Sequence, residues 1–122
     1  MNETSTQRQA RLFHALMHPA RLTILKTLRD GEACVCHLEA RLGYRQAYLS
    51  QQLAALRAAG LVRDRRDGWN VYYSVAQPDV FALLDIALRM VGGTTDRDRL
   101  HERVLDCPCP KCAPTVALAD AE

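Results

Sequence analysis

Apolar residues along the chain recur in blocks separated by Pro and Gly signals. Thr6 to Leu16 has helical spacing, with Leu12, Phe13 and Leu16 on one face. His18-Pro19 interrupts it, because the residue before Pro avoids helical geometry. Pro19 suits the first turn of a second helix, Ala20 to Arg29, whose apolar side is Leu22, Ile24, Leu25 and Leu28. Asp30-Gly31 ends it. A short third helix is expected from about Ala33 to Leu42, stopped by Gly43, and a fourth from about Gln46 to Ala59, stopped by Gly60. Two helices joined by so short a turn form a helix-turn-helix pattern.

Beyond Leu61-Val62 the pattern changes to that of strands. Asp67-Gly68 is a hairpin signal, and the β-branched and aromatic run Trp69 to Val75 suits the returning strand. A strongly apolar helix, Val80 to Val91, follows Gln77-Pro78-Asp79 and ends at Gly92-Gly93. Val80, Leu84, Ala87 and Val91 form one stripe, widened by Phe81, Leu83 and Leu88. A helix apolar around most of its girth must be buried, and in so small a chain a second copy is the economical cover. Thr95 to Asp98 resembles a capping box, so a last helix from Asp96 to about Asp106 is expected. The expected organisation is one mainly α domain with a β-hairpin over 1–92 and a cysteine-containing tail over 93–122.

Composition and charge sharpen this picture. The 122 residues are 48% hydrophobic and 25% charged, an ordinary globular balance. No apolar run is long enough for a membrane span, and the polar N-terminus lacks the core of a signal peptide, so a cytoplasmic protein is expected. The net charge of +2 hides an asymmetry: Arg41 to Arg66 holds six Arg and one Asp, while the rest of the chain is net acidic. Clustered cations on a helix-turn-helix and its hairpin are the footprint of a protein that grips phosphates.

On a helical wheel, Leu49, Leu53 and Leu56 of the fourth helix face the core. Ala47, Gln51, Ala54, Ala55 and Ala58 lie opposite, with Tyr48 at the edge. Small residues allow close approach to a groove. Gln51 has the groups to pair bidentately with adenine, and Tyr48 or Ser50 can reach a phosphate or a base. Gln52 lies obliquely, towards the groove edge. The candidate contacts to double-stranded DNA are Arg45, Gln46, Tyr48, Ser50, Gln51 and Gln52, with Arg65 and Arg66 of the hairpin.

The five cysteines fall in two clusters, Cys34 and Cys36, then Cys107, Cys109 and Cys112. In a reducing compartment such clusters suggest metal binding or redox sensing before a disulfide framework. A helix N-terminus stabilises negative charge, which favours the thiolates of Cys34 and Cys36 as ligands. In a regular helix, residues i and i+2 point about 200° apart, so both could hold one ion only if the first turn unwinds. That unwinding is the expected switch. In the tail, Pro108 and Pro110 pre-extend the chain between the thiols. Three thiolates suit pyramidal arsenic(III) and four suit tetrahedral zinc or cadmium, so five cysteines leave the ion open. No Gly-rich phosphate loop, nucleophile elbow or HExxH motif suggests an enzyme.

Three stretches together resemble the ArsR/SmtB family of metalloregulatory repressors: Leu12-Phe-His-Ala-Leu-Met-His-Pro-Ala-Arg-Leu-Thr-Ile-Leu-Lys-Thr-Leu, Leu49-Ser-Gln-Gln-Leu-Ala-Ala-Leu-Arg-Ala-Ala-Gly-Leu-Val, and Arg65-Arg-Asp-Gly-Trp-Asn-Val-Tyr-Tyr-Ser-Val. The resemblance covers roughly residues 8–91. It implies a winged helix-turn-helix homodimer, paired through its first and last long helices, that represses an operon until an ion binds. It also implies that Cys34-Val-Cys36 binds arsenic(III), antimony(III), cadmium, lead or zinc. Two positions depart from the pattern. Gln52 stands where the family usually has His, and Glu39 stands where arsenic sensors often carry a third Cys. The third thiolate is therefore expected from the tail, within one chain or across the dimer. The family's other site, on the last helix of the dimer interface, needs His and carboxylate ligands. Val80 to Val91 offers Asp85 and no His, so that site is not expected. The competing function is a redox or persulfide sensor on the same fold.

Overall fold

The computed structural model describes residues 2–93. The elements in order are α1 (Ser5–Ala15), α2 (Pro19–Leu28), β1 (Ala33–Cys34), α3 (Val35–Leu42), α4 (Gln46–Ala58), β2 (Val62–Asp67), β3 (Asn70–Val75) and α5 (Asp79–Met90). The architecture is helical with a three-stranded antiparallel sheet, strand order β1-β3-β2.

Local chemistry sets the boundaries. Thr4 caps α1 in a reciprocal box with Gln7: its hydroxyl accepts from the Gln7 N–H at 3.1 Å, and its own N–H donates to Gln7 Oε1 at 2.8 Å. Pro19 occupies the first turn of α2, where its missing N–H costs nothing. Gly43 ends α3 at φ 74°, a left-handed geometry that a side chain would strain.

The helices converge on one core. Ile24 and Leu25 of α2, Leu38 of α3, and Leu49, Leu53 and Leu56 of α4 are fully buried. The expected inward face of the fourth helix is therefore the observed one. That packing fixes α4 against α2 and α3 and turns its opposite face outward.

The helix ends of α1, α2, α4 and α5 fall within one residue of expectation, and two other boundaries differ in ways that bear on the site. The third helix starts at Val35, not Ala33, because Ala33 and Cys34 pair with Tyr73 and Tyr72 as β1. The returning strand starts at Asn70, not Trp69. Asp67 pairs with Asn70, so Gly68 and Trp69 form a two-residue turn, and Gly68 takes φ 63°. Trp69 is thus the hairpin tip and fully solvent-exposed.

The apolar girth of α5 is only partly covered. Val80 and Leu84 are buried, whereas Ile86, Met90 and Val91 are 48%, 82% and 79% exposed. Phe13, near the end of α1, and Met17, just beyond it, are exposed as well. No helix among the described residues is long and apolar enough to cross a membrane. The expected helix from Asp96 to Asp106 lies outside the described residues, as does nearly all of the 93–122 tail.

Candidate functional site

The outward face of α4 carries Gln46, Ala47, Ser50, Gln51 and Ala54, all exposed. Tyr48 is exposed beside them, its ring 5.4 Å from that of Tyr44. Arg45 is the N-cap of α4 and is exposed; no side chain caps the helix and no acid sits in its first turn. The helix start therefore presents N–H groups and positive dipole without a competing carboxylate, which favours a phosphate.

Gln52 is placed differently from its neighbours. It is half-buried, and its Oε1 accepts from Arg21 Nε at 2.8 Å. Arg21 also donates to the Ala15 carbonyl at 3.2 Å, so Gln52 ties α4 to α2 and the end of α1. The sequence offered no signal for this bond, which spans 31 residues.

The six arginines of the basic segment divide by environment. Arg41 is 4% exposed; it faces Asp30 at 3.8 Å and lies 3.5 Å from His37 Nε2, which takes it out of the DNA-facing set. Arg57 meets Asp64 at 3.4 Å in a solvent-exposed pair of the kind that exchanges readily. Arg65 donates twice to Glu32, from Nε at 3.0 Å and from Nη2 at 2.6 Å. Its guanidinium also lies 4.9 Å from the centroid of the Tyr72 ring. The hydrogen bond to Glu32 raises the Arg65 pKa above its ordinary value. Arg45, Arg63 and Arg66 remain exposed with no carboxylate partner among the described residues. The cationic footprint is thus three arginines presented outright, one in an exchangeable pair, and one held by Glu32.

The dithiol sits at the start of α3. Cys34 is the helix N-cap, in extended conformation at φ −83° and ψ 164°, and its Sγ accepts from the His37 N–H at 3.3 Å. Cys34 is buried at 3% exposure and Cys36 is half-buried. The two are joined as a disulfide, with Cα atoms 5.4 Å apart. This corrects the expectation that the first helical turn must unwind to bring them together. That expectation assumed helical geometry at both positions, but Cys34 precedes the helix, and its extended backbone turns its sulfur towards Cys36.

No group of three or more His, Cys, Asp or Glu among the described residues could hold a metal ion. Two thiols alone fall short of the three donors of arsenic(III) or the four of zinc and cadmium. The remaining candidates, Cys107, Cys109 and Cys112, lie outside the described residues. Asp85 of α5 receives two bonds from Arg29, at 2.9 and 2.8 Å.

Sequence reasoning missed Arg21, Glu32 and Tyr72 as members of this region. Arg21 and Glu32 act through contacts distant in sequence, Glu32 meeting Arg65 because β1 joins the sheet, and Tyr72 faces Arg65 directly across the β2–β3 hairpin.

Comparison with known proteins agrees with this geometry. The family model described as "Bacterial regulatory protein, arsR family" matches residues 18–64. The chain is 42% identical over 85 residues to the HTH-type transcriptional regulator Rv0081 of Mycobacterium tuberculosis, a match covering 69% of this chain and 75% of that protein. The crystal structure of Rv0081 superposes with a TM-score of 0.66 at 39% identity, covering 75% of this chain and 92% of that one. The biofilm growth-associated repressor of Agrobacterium fabrum is 45% identical over 74 residues, 61% of this chain and 63% of its own length. The homodimeric winged helix-turn-helix DNA-binding domain Mb0332 of Mycobacterium bovis, solved in solution, matches with a TM-score of 0.64 at 32% identity over 75% of this chain and 91% of that one. The helix-turn-helix of α3 and α4, the hairpin wing and these likenesses place the chain in the arsR family of bacterial regulatory proteins, as a DNA-binding transcriptional regulator rather than an enzyme.

Proposed function

We propose that the protein is a homodimeric repressor that releases its operator when the Cys34 and Cys36 dithiol is closed by a soft ion. Arsenic(III) or antimony(III) is favoured, with cadmium, lead and zinc as the divalent alternatives. The observation that carries this reading is the meeting of the two sulfurs at the N-terminus of α3, the first helix of the DNA reader. Soft thiolates select soft ions, and the pair supplies two of the three donors that arsenic(III) takes. The tail cysteines Cys107, Cys109 and Cys112 supply the rest, within the chain or across the dimer. The dimer reading rests on the exposed apolar ends of α1 and α5 and on the homodimeric state of Mb0332.

The disulfide favours a second reading, in which oxidation is the signal. Two thiols then give two electrons and two protons to a hydroperoxide, which leaves as water and an alcohol, and the sulfurs bond. One binding experiment separates the readings. With the full chain on operator DNA under a non-chelating phosphine, arsenite or cadmium releases the DNA if the ion is the signal. Release by hydroperoxide or polysulfide alone, without the phosphine, assigns the redox role instead. In either case Cys34→Ser and Cys36→Ser abolish the response. If no treatment changes operator affinity, both readings fail.

DNA recognition has its own test. Gln51→Ala relaxes discrimination at one base pair, at a cost of about 1–3 kcal/mol on the preferred sequence and little on others. Arg66→Ala weakens binding to all sequences alike and lowers the slope of log affinity against log salt by about 0.9 per chain. Equal effects of Gln51→Ala on all sequences would remove it from base readout.

A further inference from the structure

The dithiol and the wing are linked by a short circuit of contacts. Cys34 of β1 pairs with Tyr72 of β3, and Tyr72 pairs on its other side with Arg65 of β2. Tyr72 is 4% exposed and packs on Cys34, with Cys36 and Ala40 at the rim of the same small cluster. Its ring lies under the Arg65 guanidinium. Glu32 stands two residues before Cys34 and takes both Nε and Nη2 of Arg65. Arg65 is therefore held from two sides by groups that border the dithiol.

The chemistry of that hold matters. A guanidinium binds a carboxylate and a phosphate through the same kind of bidentate edge, and an edge held by one partner is closed to the other. Glu32 thus occupies the Nε and Nη2 edge of Arg65 and offsets the charge with which Arg65 would grip a DNA phosphate. These contacts are made with the cysteines joined, the state that the sensor reading assigns to release. β1 is only two residues long, so the position of Glu32 depends on how Cys34 is seated.

We propose that closing the Cys34–Cys36 pair withdraws Arg65 from the operator through Glu32 and Tyr72, so that the wing carries the signal. Glu32 and Tyr72 are positioning residues in this scheme, and Arg65 is the DNA contact they control. The scheme rests on the reading of the dithiol as the sensor. It replaces an unwinding α3 with the seating of β1 as the moving part.

The test is a salt titration of operator binding by the full chain, with the pair open under phosphine and closed by hydrogen peroxide, and with arsenite in parallel. Peroxide accepts two electrons and two protons from the thiols and leaves as water. In the native protein, closure weakens binding by about 5–150-fold, the usual span of an allosteric coupling. It also lowers the salt slope by about 0.9 per chain, the mark of one lost phosphate contact. Glu32→Gln keeps the higher slope in both states, and its response to closure shrinks to less than about threefold of affinity. Arg65→Gln shows the lower slope in both states. A Glu32→Gln protein that responds as the native one does, in fold-change and in slope, overturns the wing route and leaves the sensor reading intact. A native protein indifferent to peroxide and to arsenite overturns both.

Discussion

Leu53→Ala is expected to destabilise the protein by about 2–5 kcal/mol, a large share of the roughly 5–15 kcal/mol that holds a domain of this size. Leu53 is fully buried at the centre of α4, between Leu49 and Leu56 and within the cluster that includes Ile24 and Leu38. Truncation removes apolar surface from the core and leaves a cavity that helices fixed by neighbouring leucines fill only in part. Urea denaturation should show a lower midpoint with an unchanged slope, because the surface exposed on unfolding is nearly the same. Ala54 is adjacent and exposed, so Ala54→Ser serves as the control, with an effect within about 0.5 kcal/mol. A Leu53→Ala loss smaller than about 1 kcal/mol would mean that α4 is not anchored as its burial indicates. The same leucine links stability to function. The helix that presents Gln51 is positioned by the residues on its opposite face, so operator affinity falls along with the midpoint.

The inward face of α4 was readable in advance because helical periodicity is local. Leu49, Leu53 and Leu56 share a face through spacing alone, and Pro19 and Gly43 mark their helix ends through backbone restrictions of their own. The hairpin was readable for the same reason, although Trp69 belongs to the turn and not to the strand. β1 was not readable. Two residues, Ala33 and Cys34, carry no periodicity, and they become a strand only because Tyr72 and Tyr73 arrive from about 40 positions later.

That one missed element explains most of what else was missed. It moves Cys34 out of the helix, removes the need for unwinding, and brings Glu32 to Arg65. Charge was legible as a sum but not as a distribution. The basic segment included Arg41, which is buried beside Asp30, and Arg65, which is held by Glu32. A count of cations cannot register partners 11 or 33 residues away, and Gln52 escaped the same way through Arg21.

The largest expected effect on function comes from the other end of the molecule. Replacing Ile86 and Met90 together by Glu should yield a monomer and reduce operator affinity by about 10²–10⁴-fold. The two residues lie four apart on α5, on one face, and are 48% and 82% exposed, while Val80 and Leu84 on the same helix fill the core. Acidic side chains at 86 and 90 therefore do little to the fold of one chain. Within an interface between copies, they would place four carboxylates in what is otherwise apolar contact, which opposes association strongly. The affinity loss follows from linkage. In a dimer, the second half-site is bound at the high effective concentration that tethering gives, whereas a monomer binds each half-site independently. Two measurements taken together test the argument. Sedimentation should report the mass of one chain, and the salt slope of DNA binding should fall by about half, because half of the phosphate contacts are gone. A double variant that stays dimeric would place the interface elsewhere. One that becomes monomeric yet binds the operator as tightly as before would show that a single reading head suffices. An unchanged urea midpoint for the variant chain would show that the exposed end of α5 serves association and not the folding of its own chain.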